Sequence, residues 1–175
     1  MKIKLVEFDH ALLEDDHALQ TLADWRNSAL HTFQNPSPAT IETTKNWLRS
    51  VVFSDPHKKL YFIQEDRYFV RPFVGHIGVI YNGLEPTELG YVMRGRSESP
   101  GAMSEAIKTL IEMHRHLTLR VLPSNKHAIE FYKKLGFCET GSSGGFVTMS
   151  VFRSESLPRL VDLESELAKG EWIWK

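Results

Sequence analysis

The chain has 175 residues, and its 21 lysines and arginines against 22 aspartates and glutamates give a formal net charge of −1. This length fits a single domain, and a hydrophobic content of 42% can form a core, which excludes intrinsic disorder. The near-zero net charge argues against a nucleic-acid partner, because such proteins usually carry a basic surface. The lone cysteine, Cys138, excludes an intramolecular disulfide and a metal site built of several thiolates.

The N-terminal segment, Met1 to His10, spreads its charges among apolar residues and lacks the apolar core of a signal peptide. No stretch reaches the roughly 20 apolar residues of a membrane-spanning helix, and the longest apolar run, 73–81, is interrupted by His76. We therefore expect a cytoplasmic protein without a membrane partner. The sequence has no internal repeat or long linker, and it predicts one domain over 1–175.

Hydrophobic periodicity predicts the elements of the N-terminal half. Residues 2–8 have the pattern of a strand, and residues 15–31 have that of an amphipathic helix. A break at 35–38 follows, because proline disfavours helix in the residue before it. A second helix then begins after Thr40, whose hydroxyl is suited to cap it, and its apolar stripe extends to Val51.

Three strands are predicted next, over 59–65, 73–81 and 87–93, and their succession indicates an antiparallel meander. Alternation divides the third of these strands into two faces. One face carries Leu89, Tyr91 and Met93, and the other carries Glu88, Gly90 and Val92.

The C-terminal half begins with a polar segment, 94–100, and a helix that opens near Gly101. The further elements are a strand over 117–122, a helix capped by Ser124 or Asn125 and ended by Gly136, strands near 137–141 and 145–152, and a helix near 157–168. A strand, a helix and a second strand in succession should form a right-handed parallel crossover. The element order therefore predicts a mixed α/β fold around one central sheet.

The segment 119–137 carries the most informative motif. A strand is followed by Asn125, by the small residue Ala128 three positions on, and by Tyr-x-Lys-x-Gly-Phe from Tyr132 to Phe137. This motif closely resembles the fifth strand and fourth helix of the GNAT superfamily, the acetyl-CoA-dependent N-acyltransferases. The likeness covers roughly residues 1–152 and includes 75–80, 88–93 and 101–106, which resemble the third strand, the fourth strand and the start of the cofactor-binding helix.

The resemblance implies an α/β (α+β) fold with a mixed, mostly antiparallel sheet of about seven strands, helices on both faces, and a parallel β-α-β unit that binds the cofactor. It leaves 157–175 as a C-terminal helical extension. It also implies an enzyme that moves an acetyl group from acetyl-CoA directly to a primary amine, with no metal. The segment 22–27 resembles the first-helix motif of two branches, one acetylating protein N-termini and the other acetylating nucleotide-linked aminosugars.

The cofactor site is expected at a helix N-terminus, which binds phosphate through unpaired N–H groups and a partial positive charge. The family loop reads Arg/Gln-x-x-Gly-x-Gly/Ala, whereas 98–103 keeps only the first glycine and has Glu98 at the Arg/Gln place. Arg94 and Arg96 are candidates for the missing positive charge. The cofactor-binding residues that the resemblance implies are Val92, Met93, Arg94, Gly101, Ala102, Met103, Ser104, Asn125 and Ala128.

Transfer to an amine needs a base for the ammonium proton and an acid for the leaving thiolate. The resemblance places Glu88 at the position of the family's base and Tyr132 at that of its general acid. His76 is a rival base, because the reference pKa of histidine, about 6.5, suits the task. The structural alternatives are a solvated carboxylate for Glu88, a core aromatic for Tyr132 and simple packing for His76.

The acceptor site is predicted around Trp25, Arg26 and Asn27 on the first helix, with His76 as a further substrate-binding residue. Tryptophan offers a stacking surface and arginine binds phosphate or carboxylate, whereas the alternative is helix packing beside a surface charge. Further candidates for the same wall are His31, Phe33 and Trp47. Packing or a homodimer contact is expected for Trp172 and Trp174.

Two further motifs do not change this interpretation. The segment 141–145 satisfies Gly-x-Ser-x-Gly, but a strand pattern follows it, which indicates a hairpin and not a nucleophile elbow. The segment 114–116, His-Arg-His, lacks the spacing of a zinc site. A non-catalytic acyl-CoA-binding module with the same fold is the non-enzymatic alternative, and the altered glycine loop is its support.

Overall fold

The computed structural model of the chain describes residues 3–30, 36–66, 73–83, 86–95 and 99–153. Outside these ranges lie the predicted helix near 157–168 and the candidate residues His31, Phe33, Arg96, Glu98, Trp172 and Trp174. The homodimer contact expected of the two C-terminal tryptophans stays a prediction.

One sheet forms the centre of the fold. Its strands are β1 (Ile3–Glu7), β2 (Lys58–Glu65), β3 (Phe73–Ile80), β4 (Thr87–Arg94), β5 (His116–Val121), β6 (Cys138–Ser143) and β7 (Phe146–Phe152). They lie in the order β1-β2-β3-β4-β5-β7-β6, and every neighbouring pair is antiparallel except β4 with β5. This topology confirms the predicted mixed, mostly antiparallel sheet with one parallel β-α-β unit.

In the part of the chain that the structure describes, four α-helices pack on this sheet. They are α1 (Asp16–Ser28), α2 (Ile41–Trp47), α3 (Ala102–Met113) and α4 (Lys126–Lys134), with a short 3₁₀ helix at His10–Glu14 and a π-helical turn at Leu48–Val52. Thr40 caps α2 as predicted, and it forms a reciprocal capping box with Thr43. None of the described helices combines the length and apolar character that a membrane crossing requires.

The caps and turns of the C-terminal half follow their residue types. Asn125 caps α4, and its Oδ1 accepts a hydrogen bond from the Ala128 N–H at 3.2 Å. Gly136 ends the helix in the left-handed region, with φ +93°. The turn at 144–145 joins β6 to β7, so the glycine-rich segment is the hairpin that the sequence predicts.

The helices bury their apolar stripes on opposite faces of the sheet. On one face, Ile107 and Leu110 of α3 are fully buried in a cluster with strand residues that include Leu117. On the other face, Leu19 of α1 and Leu60 of β2 belong to a separate buried cluster. The fold thus has helices on both faces, and we call the two sides the α3 face and the α1 face.

The predicted alternation along β4 is wrong after Gly90. Leu89, Tyr91 and Met93 were expected on one face, but Leu89 lies in the cluster of the α3 face. Tyr91 and Met93 belong to the cluster of the α1 face, and Val92 packs on the α3 face. The strand therefore changes its facing between its two halves.

A β-bulge causes this change. The pairing of β3 with β4 shifts register between His76 and Gly78, so that Tyr91 and Val92 together lie opposite Ile77. Tyr91 has φ +52°, a left-handed conformation that is rare for a residue with a bulky side chain. Because one residue is inserted, each later side chain of β4 takes the opposite face from that of simple alternation.

Candidate functional site

The candidate site begins where β4 and β5 separate. Their parallel pairing spans only Thr87 and Glu88 on β4, although this strand continues to Arg94. Paired strands lie about 4.8 Å apart, and a gap opens where the pairing ends. A bulge bends the strand that contains it. The bulge at 91–92 lies in the part of β4 that is paired with β3 but not with β5.

A cavity of about 1140 Å³ occupies this gap and extends towards α1 and α2. Its walls come mainly from β4, β5, the first turn of α3, α4, α1, α2 and the segment 37–39. The predicted site residues on these walls are Arg26, His76, Val92, Met93, Arg94, Gly101, Ala102, Met103, Ser104, Asn125, Ala128 and Tyr132. Three others, Trp25, Asn27 and Glu88, do not line the cavity.

The N-terminus of α3 forms one end of the cavity. Gly101 precedes this helix with φ +90°, a conformation that glycine adopts without steric strain. No described side chain caps the helix, so the first-turn N–H groups of Met103 and Ser104 are available to a ligand. Both residues line the cavity together with Arg94. The positive helix end and the guanidinium suit this end of the cavity to a phosphate group.

Tyr132 is the predicted acid, and it lies on the wall formed by α4. It is 8% exposed, and its ring has edge contacts with Phe131 and Phe137 at centroid distances of 5.4 and 5.6 Å. Burial raises the pKa of its phenol to about 12. The hydroxyl therefore keeps its proton at neutral pH, and burial makes it a weaker acid than a solvated phenol.

His76 lies between two aromatic rings under the bulge. Its ring stacks on Trp25 at 6.2 Å and contacts the edge of Phe8 at 6.0 Å. Burial lowers the pKa of His76 to about 4, an effect that a hydrogen bond to the Tyr91 backbone partly opposes. This bond connects His76 to the strained residue of the bulge. An imidazole of such low basicity is poorly matched to proton removal near neutral pH.

Trp25 is buried next to the cavity without lining it. The side chain is 8% exposed and belongs to the buried cluster of the α1 face. A Cβ atom added to Gly95 would overlap the Trp25 ring, and the Gly95 N–H donates to the Val74 carbonyl at 2.9 Å. Trp25 therefore packs against the backbone at the end of β4, just before the segment that leads into α3.

Asn27 ties α1 to the segment that precedes α2. Its amide nitrogen donates to the Ala39 carbonyl at 2.9 Å, and its amide oxygen accepts from the Ala39 N–H at 2.7 Å. Ala39 and its neighbours Ser37 and Pro38 line the cavity. The structure thus places Asn27 where it holds a wall in position, although its side chain does not itself line the cavity.

Glu88 forms an ion pair with a residue that the sequence reasoning did not single out. Arg120 of β5 donates to Glu88 Oε1 from Nε at 3.1 Å and from Nη2 at 3.0 Å. The Glu88 side chain is 22% exposed, and that of Arg120 is 57% exposed and lines the cavity. Glu88 itself does not line the cavity, and its predicted role as a base stays a prediction.

Tyr91, Phe146 and Pro38 also line the cavity, although they are not among the predicted site residues. No local pattern marks them, because each reaches the cavity only through the bulge, the hairpin or the α1–α2 connection. Among the described residues, no group of three or more His, Cys, Asp and Glu side chains is placed to hold a metal ion.

Known proteins share this architecture. An acetyltransferase from Thermus thermophilus is 16% identical and superposes with a TM-score of 0.71, covering 87% of this chain and 98% of that one. FdhC, a nucleotide-linked sugar GNAT, is 13% identical with a TM-score of 0.66, and the match covers 95% and 92% of the two chains. Campylobacter jejuni N-acetyltransferase PseH, in complex with acetyl coenzyme A, is 19% identical with a TM-score of 0.59, covering 87% and 100%.

These identities are low, so the structural likeness establishes the fold alone. No curated protein sequence gives a significant match to the chain. The acetyltransferase (GNAT) domain family, however, matches residues 10–138, which is most of the chain. The chain therefore belongs to the GNAT acetyltransferase family and is an enzyme of the acyltransferase class.

Proposed function

We propose that this enzyme transfers the acetyl group of acetyl-CoA directly to a primary amine in the cytoplasm. One observation carries the proposal: a single cavity in the gap between β4 and β5 joins a phosphate-binding helix end to a buried, protonated tyrosine. The first feature suits the pyrophosphate of acetyl-CoA, and the second suits its leaving thiolate. The PseH complex shows that a protein of this fold binds acetyl-CoA.

The cofactor would extend along the gap. Its pyrophosphate binds the first-turn N–H groups of α3 from Gly101 to Ser104, with Arg94 on the same wall. Its pantetheine arm passes Asn125 and Ala128 at the start of α4, and its thioester lies along the backbone of 92–93. Because backbone N–H groups form most of such a cradle, the departure at Met103 from the family's small residue is compatible with binding.

The chemistry requires one bond to form and one to break. The neutral amine attacks the thioester carbonyl, a C–N bond forms, and the C–S bond breaks. The nitrogen gives up a proton, and Tyr132 donates its proton to the departing thiolate of coenzyme A. The products are the N-acetylated amine and the free thiol. We propose that Glu88 removes the amine proton through a water molecule at Oε2, since the hydrogen bonds from Arg120 both fall on Oε1.

The acceptor is proposed to be an aminosugar linked to a nucleotide, and a peptide N-terminus is the second candidate. FdhC, which shares the fold, is a nucleotide-linked sugar GNAT. The presence of Arg26 on the cavity wall supports an acceptor that carries phosphate. A peptide acceptor is supported by the first-helix segment 22–27, which resembles both branches.

The function is tested by calorimetric titration with acetyl-CoA and by release of free thiol with a panel of amines. We expect binding of acetyl-CoA and turnover with nucleotide-linked aminosugars above that with short peptides. Binding without turnover of any amine would instead favour the non-catalytic acyl-CoA-binding module. Absence of both binding and turnover would refute the proposed function.

A further inference from the structure

The charge of the cavity wall is one-sided. Among the described residues that line it, the arginines are Arg26, Arg94 and Arg120, and there is no aspartate or glutamate. Arg120 is itself ion-paired with Glu88, so what this wall offers an anion is guanidinium hydrogen-bond donors more than a net positive charge. The phosphates of acetyl-CoA account for positive charge near the N-terminus of α3, and Arg94 lies at the end of β4 that leads to this helix.

Arg120 lies towards the opposite end of the gap. Its guanidinium is bound to Glu88, which is six residues before Arg94 on β4. A strand rises about 3.3 Å per residue, so this separation is roughly 20 Å. Arg94 and the Arg120–Glu88 pair therefore lie at different ends of β4.

Arg120 also projects to the face that the acceptor would use. Its neighbours Leu119 and Val121 are buried in the cluster of the α3 face. Because side chains alternate along a strand, Arg120 is directed to the α1 face. The cavity wall on that face includes Tyr91 and Trp47, whose ring centroids lie 5.8 Å apart.

Glu88 holds the guanidinium in a fixed orientation. Two of the five guanidinium N–H groups of Arg120, on Nε and Nη2, donate to Glu88 Oε1 at 3.1 and 3.0 Å. The other three N–H groups are left for further partners, and a planar fork of this kind binds phosphate and carboxylate in pairs of hydrogen bonds. Since the Arg120 side chain is 57% exposed and lines the cavity, a ligand can reach it.

We propose that Arg120, oriented by Glu88, is a specificity-determining residue that binds an oxyanion carried by the acceptor amine. The acceptor is then an amine that also bears a phosphate or carboxylate group, and cationic polyamines are rejected. This inference rests on the proposed function, because it assigns one subsite of the same transferase.

The experiment measures kcat/KM for four amines with the wild-type enzyme: an aminosugar, its phosphate ester, its nucleoside diphosphate ester, and spermidine. An amino acid amide and the matching free amino acid form a second pair that tests the carboxylate. The variants are Arg120→Gln, which removes the charge, and Arg120→Lys, which keeps the charge but loses the fork. The matched control is Arg153→Gln, since Arg153 donates to the Glu112 carbonyl and does not line the cavity.

We expect wild-type enzyme to favour the anionic amines by about tenfold or more over the uncharged aminosugar and spermidine, because charged hydrogen bonds are strong. Arg120→Gln should remove this preference, Arg120→Lys should restore part of it, and Arg153→Gln should leave it unchanged. The KM for acetyl-CoA should stay the same in all variants, which also shows that the variants fold.

Three results would overturn the assignment. Wild-type enzyme could turn over uncharged or cationic amines as well as anionic ones. Arg120→Gln could lower kcat/KM equally for all acceptors, or it could raise the KM for acetyl-CoA, which would place Arg120 in the cofactor site. Failure of the proposed function gives a different outcome, since then acetyl-CoA does not bind or no amine reacts.

Discussion

Acidification should destabilise this protein through His76, and the size of the effect follows from the burial of this side chain. The pKa of His76 is lowered to about 4 in the folded protein, from a reference value of 6.5. The folded state therefore holds a neutral imidazole at a pH at which the unfolded chain already binds a proton. Acid favours the state that binds the proton, so stability is full above about pH 6.5 and falls until about pH 4.

The magnitude follows from the same two values. A pKa difference of one corresponds to about 1.4 kcal/mol, so complete acidification removes about 3 kcal/mol of folding free energy. Between pH 7.5 and pH 5 the expected loss is about 2 kcal/mol. His76→Gln keeps a side-chain N–H donor for the Tyr91 backbone but cannot titrate. Between pH 7.5 and pH 5 its free energy of unfolding should therefore fall by about 2 kcal/mol less than that of wild type.

The measurement is urea unfolding followed by circular dichroism at pH 7.5, 6 and 5 for wild type and His76→Gln. The pH dependence is compared and not the absolute stability, so any constant loss in the variant cancels. His17→Gln is the matched control, because His17 is exposed on α1 and should leave the pH dependence as in wild type. Equal pH dependence in wild type and His76→Gln would refute the reasoning.

Three further predictions concern the site and its supports. Tyr132→Phe should lower kcat about 100-fold with little change in the KM for acetyl-CoA in a thiol-release assay, because it removes a general acid but keeps the ring. Asn27→Ala loses both hydrogen bonds to Ala39 and should lower the free energy of unfolding by about 2 kcal/mol in urea titrations, while raising the KM for the acceptor. Gly95→Ala should lower the unfolding free energy by about 2 kcal/mol, since the new methyl group overlaps the buried Trp25 ring.

Each of these predictions has a contradicting result. An unchanged kcat for Tyr132→Phe would return this tyrosine to a packing role. Asn46→Ala is the control for Asn27→Ala, because the Asn46 side chain bonds to the exposed side chain of Glu42 within α2. Equal losses of unfolding free energy for the two variants would refute the assigned role of Asn27 in joining α1 to the segment before α2. Wild-type stability of Gly95→Ala would show that the tryptophan ring can move aside.

The elements that the sequence predicted correctly are those whose signals are local. The cap at Thr40, the stripe of α3 and the glycine that ends α4 all depend on residues within one or two turns of chain. The start of α3 at Gly101 and the α4 wall with Tyr132 came from the motif resemblance, and the structure places both on one cavity.

The parts that could not be predicted depend on residues distant in the chain. Tyr91 carries no sequence signal for a left-handed conformation, and the bulge appears only when β3 and β4 pair. The partnership of Arg120 with Glu88 spans 32 residues and requires the register of β4 against β5. Trp25 and Asn27 were predicted as acceptor-site residues, but whether such residues line a wall or support it depends on how α1 packs.

The single inserted residue in β4 also bears on how this enzyme can diversify. Because of the insertion, Val92 packs on the α3 face, whose helices would hold the cofactor. Tyr91 packs on the α1 face, where the acceptor would enter. Neighbouring codons thus control two different recognition tasks. Under the proposed function, substitutions on the α1 side can alter which amine is accepted while the opposite side, and with it the common acyl donor, stays unchanged.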